Sequence, residues 1–584
     1  MGVRTYEGRG EPPRARAEEP ARLQAAAVAL LLFFLLIANG RPIPSGDTRP
    51  SERVAASLVS AGDLDLDEFA DVEFPFARQA GDHKVSTYPV LPAVLAAPVF
   101  ALGRQLFALD EAGLALCGKW AAALLSALAS AVLFVAAARR AGVLYGLGTA
   151  LVFALGTSVW STSQALWQHP AGLLFLSLAL LQMHRATDDP RSADAAGLWL
   201  ALAVAARHAN VFVAAFLALA LALRFPRRAP WMALWGLPAV LLQLAYQWWA
   251  FGSPWRHGFS GSLSRFSEPW GVGQAGLLVS PGKGLLWFTP VALVALAGLV
   301  QALRSRDRWL PVACGLGALV HLVAMGRWSE WHGGWSFGPR LMTDALPLLF
   351  LFLPDGLAVT GLLGRLLAVV SVAVQALGAF CYDNRWERLY QREPQAATAA
   401  LWNVGDSPIV FLARERAVRL VLPAVAEGRV TLRERAVVPF GPAGSRVRFG
   451  EDGPRVSGSD ATLGDLRLER GARVQGGALR LAGRWEGLAF RLQPRARLLP
   501  LELRLVGHGR GTLYVGESSF WSPKPRWKEY AMKGSFRIVH RYEYATSGGA
   551  DLLVTVGKGD GEARLELLAF VPPGEPDEVL SLPR

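Results

Sequence analysis

The chain has 584 residues, a formal net charge of +13, 52% hydrophobic residues and a mean hydropathy of +0.28. That mean excludes an ordinary soluble protein of this size, and apolar blocks of about 15–25 residues mark a polytopic helical membrane protein. The charge is nearly all Arg in short links between blocks, which serves membrane orientation before nucleic-acid binding, and Cys117, Cys314 and Cys381 form neither a disulfide framework nor a metal-ligand spacing.

Residues 1–21 read as an Arg-rich, acid-containing cytoplasmic arm. No A-x-A cleavage site follows the first apolar block, so that block is expected to be a retained helix rather than a signal peptide. Block length predicts about eleven spans: 22–38, 112–138, 141–159, 170–184, 195–206, 208–223, 231–250, 285–303, 309–326, 341–358 and 361–380. The Arg-bearing links Arg139/Arg140, Arg185/Arg191, Arg224/Arg227/Arg228 and Arg304/Arg306/Arg308 then share one side with the N-terminus, which the positive-inside rule makes cytoplasmic. Segment 89–107 is apolar but broken by Pro89, Pro92 and Pro98. As a span it would invert every later link, so it reads as an interfacial or re-entrant helix on the outer face. Blocks 195–206 and 208–223 are short enough to form a hairpin with its tip inside the bilayer. The Ala-, Leu-, Arg- and Gly-rich composition reads as that of a GC-rich bacterial genome.

This topology gathers the long, aromatic and charged loops outside. The first, NGRPIPSGDTRPSE, places Thr48 or Asp47 where either can cap a helix starting near Pro50. Val54, Leu58 and Val59 give that helix an apolar stripe, and Gly62 ends it. A cap is worth about 1 kcal/mol. A carboxylate just past a span is also placed to take a proton from a hydroxyl at lipid-phosphate height, and the residues alone leave both roles open for Asp47. The acidic run DLDLDEFADVEF reads as a solvated face, with a cation site as the alternative.

In the next outer link, Trp160 and Trp167 fit an interfacial belt, and His169 precedes Pro170. Arg207 and His208 fall at the hairpin tip. An ionisable residue at membrane depth faces a polar cavity by default, and a guanidinium there suits a phosphate. The loop after residue 250 carries Arg256 and His257, then SPGKGLLWFTP, where exposed backbone N–H groups and Lys283 can hold an anion without Walker spacing. The last link, GRWSEWHGGWSFGPRLMTDALP, brings Trp335, His332 and a Gly-Pro-Arg turn that sets Arg340 at phosphate height. From 381 to 427 the chain reads as a polar linker with helical stretches. From 428 to 584 short alternating runs between Gly and Pro turns predict an extracytoplasmic β-sandwich or jelly roll. Tyr514, Phe520, Trp521 and Trp527 are positioned there either as core or to stack on a sugar.

Over residues 22–380 these features resemble the GT-C superfamily of membrane glycosyltransferases, and among them the bacterial aminoarabinose and mannose transferases and the protein O-mannosyltransferases. The shared features are an Asp early in the first outer loop, interfacial helices after it and GGWSFGPR before a span. The resemblance implies a polyprenyl-phosphate-linked sugar as donor, an envelope glycan, lipid or protein as acceptor, the bacterial inner membrane as location, and inversion at the sugar. It makes Asp47 the general base, places Arg207, Lys283, Arg340, His257 and His332 on the leaving phosphate, and puts Trp335, Trp167 and His169 on the acceptor or sugar. The Asp-Glu pair of many relatives is Gly46-Asp47 here, so no cofactor is certain and a divalent cation remains the one candidate. A flippase or transporter is the competing reading, against which stands the absence of an internal repeat. A glycan-binding assembly protein without catalysis is the other.

Overall fold

The computed structural model describes residues 22–69, 75–384, 386–387 and 399–415, and beyond them chiefly strand segments. The N-terminal arm, Phe520 and Trp521 lie outside the described residues. The chain is mostly helical, with a C-terminal β region. Among the described residues four helices are long and apolar enough to cross a membrane: Glu111–Ala141, Pro226–Phe251, Trp309–Arg327 and Leu353–Cys381. Shorter apolar helices accompany them, among them Arg22–Ile37, Val143–Leu155, Ser192–Ala206 and Ala292–Ala302. In Arg22–Ile37 the buried residues Val28, Leu32 and Leu36 recur every four positions and face the bundle, while Leu30 and Phe34 are exposed as a lipid-facing side would be.

The basic links pair with one another. Arg139 holds Asp188 at 2.6 Å and Arg140 holds Asp355 at 2.5 Å, while Arg228 pairs with Asp194. These contacts collect five helix ends on one face. From that face Ser192–Ala206 runs to Arg207, Trp309–Arg327 runs to Trp328, and His169–Ala186 arrives there from His169. The opposite ends of these helices therefore share the other face, which carries the long, aromatic and charged loops.

One boundary is added. The break expected between 358 and 361 falls at Gly361, whose φ of +57° separates two helical stretches, and the expected span 341–358 is also divided at Leu351–Phe352, ahead of Leu353–Cys381. Its start is set by Pro354 in the first turn and by the Asp355–Arg140 pair. This helix meets Ala292–Ala302 through glycines: a Cβ on Gly356 would stand 1.9 Å from Val294 O, and one on Gly298 1.9 Å from Phe352 O. Small residues let helix backbones approach in lipid. Gly356→Ala is therefore expected to destabilise the bundle by about 1–3 kcal/mol, read as a lower apparent melting temperature in detergent; an unchanged melt would show that the crossing is loose.

On the other face the first loop forms the helix Arg49–Ser60, and segment 89–107 forms the helix Leu91–Leu106 with Pro98 inside it. Val54 and Ala55 pack with Ala93, Ala96 and Phe100 and with Leu114 and Cys117 at the start of Glu111–Ala141. The first-loop helix is thus buried along most of its length, with Arg53 pairing to Glu111. A hairpin of β1 (Ala77–Ala80) and β2 (His83–Ser86) joins the two helices.

The β region begins with a hairpin of β3 (Val418–Ala426) and β4 (Arg429–Val437). An antiparallel sheet follows, built of β5 (Arg446–Gly450), β6 (Gly453–Ser457), β7 (Leu463–Glu469), β8 (Arg473–Gln475), β9 (Ala478–Leu481), β10 (Gly487–Leu492), β11 (Glu502–Ser519), β12 (Ser522–Arg541), β13 (Ala550–Thr555) and β14 (Glu562–Val571). The long β11–β12 hairpin organises it. β11 pairs β14 over residues 502–510 and β13 over residues 514–519, so two branches leave one strand. Tyr514 and Trp527 meet edge-to-face on this hairpin, centroids 6.5 Å apart.

Candidate active site

A cavity of about 520 Å³ opens on the loop-bearing face. Asp47, Trp167, His169, Arg207, His257 and Arg340, from five separate segments of the chain, all line it. That volume lies within the usual range for a small-molecule site.

Asp47 is not the cap of its helix. Thr48 takes the N-cap position, and its hydroxyl exchanges hydrogen bonds with the backbone of Ser45. The Asp47 carboxylate instead pairs with Arg340, both side chains about 13–14% exposed. The Arg340 guanidinium also lies over the Trp167 ring, 4.3 Å from its centroid. Its stem runs along Gly333 and Gly334, whose φ values of +73° and +63° only glycine adopts readily; a Cβ on Gly333 would stand 3.1 Å from Arg340 Cγ. The twin glycines of GGWSFGPR are thus the bed on which Arg340 lies.

Arg207 follows the last turn of Ser192–Ala206 in an extended conformation, φ −154° and ψ 111°, before the short turn His208–Asn210. That helix has 15 residues and the next, Val211–Arg224, has 14. At about 1.5 Å per residue each falls short of a hydrocarbon core of about 30 Å. Arg207 at the tip is buried and lines the cavity. Arg207 donates to Asp344 at 2.8 Å.

The rest of the wall is aromatic. Phe76, Tyr88 and Phe259 stack in series, with centroids 5.1 and 5.2 Å apart. Phe212, Phe266 and Trp328 form a second run, with centroids 5.9 and 5.1 Å apart, beside Val211 and Met325 and with Arg265 4.9 Å over the Trp328 ring. Burial and the neighbouring Asp47 carboxylate push the Tyr88 phenol above its ordinary pKa, so it stays a hydrogen-bond donor. His257 stands 4.8 Å from His208 between ring centroids, and burial lowers its pKa.

Three expected residues do not reach this cavity. Lys283 is fully buried, its ammonium donating to Glu387 at 2.8 Å, to Gly334 O at 3.0 Å and to Ser336 O, with the Trp386 ring 5.4 Å away. The backbone N–H groups of its loop are also spent, Gly282 on Leu401 O and Gly284 on Ser280 O. Lys283 locks the chain after the last long helix onto the GGWS turn and has no donor left for an anion. His332 accepts from Gly334 N, and burial together with Lys283 and Arg340 pushes its pKa down to about 4, so it carries no positive charge near neutrality. Trp335 faces a separate narrow crevice with Ile43, Phe337 and Tyr382; Trp167 borders both spaces.

Asp344 was missed. It is the acid in the apolar stretch LMTDALPLLFLF, and an ionisable residue at membrane depth is a signal readable from sequence. The two carboxylates that line the cavity, Asp47 and Glu330, are each held by an arginine, Glu330 by Arg265 at 2.6 Å. Oxygen ligands suit hard cations only when they are free to coordinate. In the described part of the acidic run Asp65 is buried while Asp67 and Glu68 are exposed; Asp65, Asp67 and His83 offer ligand atoms within 4.8 Å of one another, and none of the three lines the cavity.

No protein-family model matches the chain, and no curated protein matches it. Among solved structures it is similar to an Archaeoglobus fulgidus oligosaccharyltransferase in the apo form, at 12% identity and a TM-score of 0.42. The match covers 66% of this chain and 60% of that one.

Proposed function

We propose that the chain is a GT-C-type glycosyltransferase of the bacterial inner membrane, with the N-terminus cytoplasmic and with the cavity and the β region outside. It moves a sugar from a polyprenyl-phosphate donor to a hydroxyl of an envelope glycan, lipid or protein, with inversion. Eleven passes and a β-sandwich or jelly-roll domain belong to the same reading.

The observation that carries it is the make-up of one cavity. Asp47, Arg207, Arg340 and the Arg265–Glu330 pair line it together with two runs of aromatic rings. A polyprenyl-phosphate sugar likewise joins charged and apolar parts, a charged head on an isoprenoid chain. Arginine suits the phosphate because its fork donates two parallel hydrogen bonds.

In the transfer, a carboxylate oxygen of Asp47 accepts the proton of the acceptor hydroxyl as that oxygen bonds to the anomeric carbon. The bond from that carbon to the phosphate oxygen breaks, and its electron pair leaves with the polyprenyl phosphate. Arg340 and Arg207 stabilise the charge that develops. Arg340 begins on Asp47, so an arriving phosphate competes for the guanidinium and frees the base in the same event.

The test is reconstitution of the full chain in vesicles made with host envelope lipids that carry polyprenyl-phosphate sugars and native acceptors. Mass spectrometry should find free polyprenyl phosphate and a glycosylated product in equal amounts, both dependent on the chain. A well-folded chain that releases neither would overturn the proposal.

A further inference from the structure

Arg340 and Asp344 stand on one short turn, Arg340–Ala345, and do different things. Arg340 lines the cavity, whereas Asp344 is fully buried behind it. The Oδ2 atom of Asp344 accepts from Arg207 Nη1 at 2.8 Å and from His169 Nδ1 at 3.0 Å. Its Oδ1 makes no hydrogen bond. Gly172 makes room for it, since a Cβ there would stand 3.2 Å from Asp344 Oδ1 and 2.7 Å from Asn210 Nδ2. One carboxylate oxygen therefore grips two residues of the cavity wall.

A carboxylate against a guanidinium only accepts hydrogen bonds, so the imidazole nitrogen facing it must carry the proton. His169 then has Nδ1–H and a bare Nε2. The ring lines the cavity, and no hydrogen bond within the described residues engages Nε2.

We propose that Asp344 is a positioning residue: it fixes His169 as the neutral Nδ1–H tautomer, with Nε2 offered to the cavity as an acceptor for a substrate hydroxyl, and it holds Arg207 at the wall with the same oxygen. Only the identity of the hydroxyl, on a sugar or its acceptor, rests on the glycosyl-transfer reading. The tautomer and the grip on Arg207 do not.

The experiment is ¹⁵N NMR of the histidine-labelled full chain in lipid at neutral pH. The nine histidines are separated by comparison with His169→Gln, which removes one set of signals. Nδ1 of His169 should be protonated and Nε2 bare. In Asp344→Asn, whose amide can donate to Nδ1, the pair should shift toward Nε2–H. Protonation at Nε2 in the wild-type chain overturns the proposal, and so does a tautomer unchanged in Asp344→Asn. The wild-type spectrum is decisive even where the variant fails to fold. With polyprenyl-phosphate sugars as substrate, Asp344→Asn and His169→Gln should each slow transfer about 10²-fold, and the double variant no further than the slower single. Additive losses overturn the shared role. Absence of transfer by the wild-type chain overturns the glycosyl-transfer reading and leaves the tautomer result standing.

Discussion

Asp47→Asn is expected to insert and fold like the wild-type chain and to transfer sugar about 10²- to 10⁴-fold more slowly. The fold should survive because Thr48 and not Asp47 holds the N-cap position of the helix beginning at Arg49, so removing the Asp47 charge unsatisfies no helix end. An amide oxygen at the same position still accepts from Arg340. It cannot take a proton from a hydroxyl at neutral pH, and that is the whole loss. The measurement is product formation in vesicles, set against the amount of inserted protein and its melting temperature. Equal product from the two proteins would remove Asp47 as the base. Equal product with the Asp344→Asn loss intact would move that role to His169, the other acceptor on the same wall.

The helices were legible because their signal is local. Blocks 112–138, 231–250 and 309–326 fall on Glu111–Ala141, Ala229–Phe251 and Trp309–Arg327. A run of apolar residues needs no distant partner to become a helix in lipid. The boundary at Leu351–Phe352 was not legible because the helix that starts there is fixed by Asp355 meeting Arg140, a contact 215 positions away in sequence. The site divides the same way. Loops rich in charge and aromatics share one face, and Asp47, Arg207 and Arg340 line one cavity there. Lys283 carried the same residue-type signal and has another task, since Glu387 lies 104 positions later in a segment that reads only as polar linker. Residue type states what a side chain can do, and tertiary packing decides which charges are already spent. Asp344 shows the converse: its partners Arg207 and His169 were each singled out from the sequence, but their meeting point was not.

The pH dependence of stability should change sharply in Glu52→Gln. Glu52 is 2% exposed in the first-loop helix and packs against Gly118, where a Cβ would stand 2.9 Å from its Cγ. Its Oε1 has no hydrogen-bond partner. Burial raises its pKa from 4.5 to about 7, against the opposing pull of Arg53, Thr48 and Arg49. The folded chain thus keeps this proton up to about pH 7, while the unfolded chain loses it above 4.5. Between those values the folded state binds more protons, so stability is fullest below 4.5 and falls as pH rises to about 7. At 1.36 kcal/mol per pH unit the loss is about 3 kcal/mol. Gln has the same shape and nothing to titrate. The variant should therefore melt like the wild-type chain near pH 4.5 and hold its melting temperature on going to pH 8, while the wild-type chain loses several degrees. Parallel melting curves across that range would mean that water or a cation reaches Glu52, and the first-loop helix that carries Asp47 toward the cavity would then be packed less tightly than its burial implies.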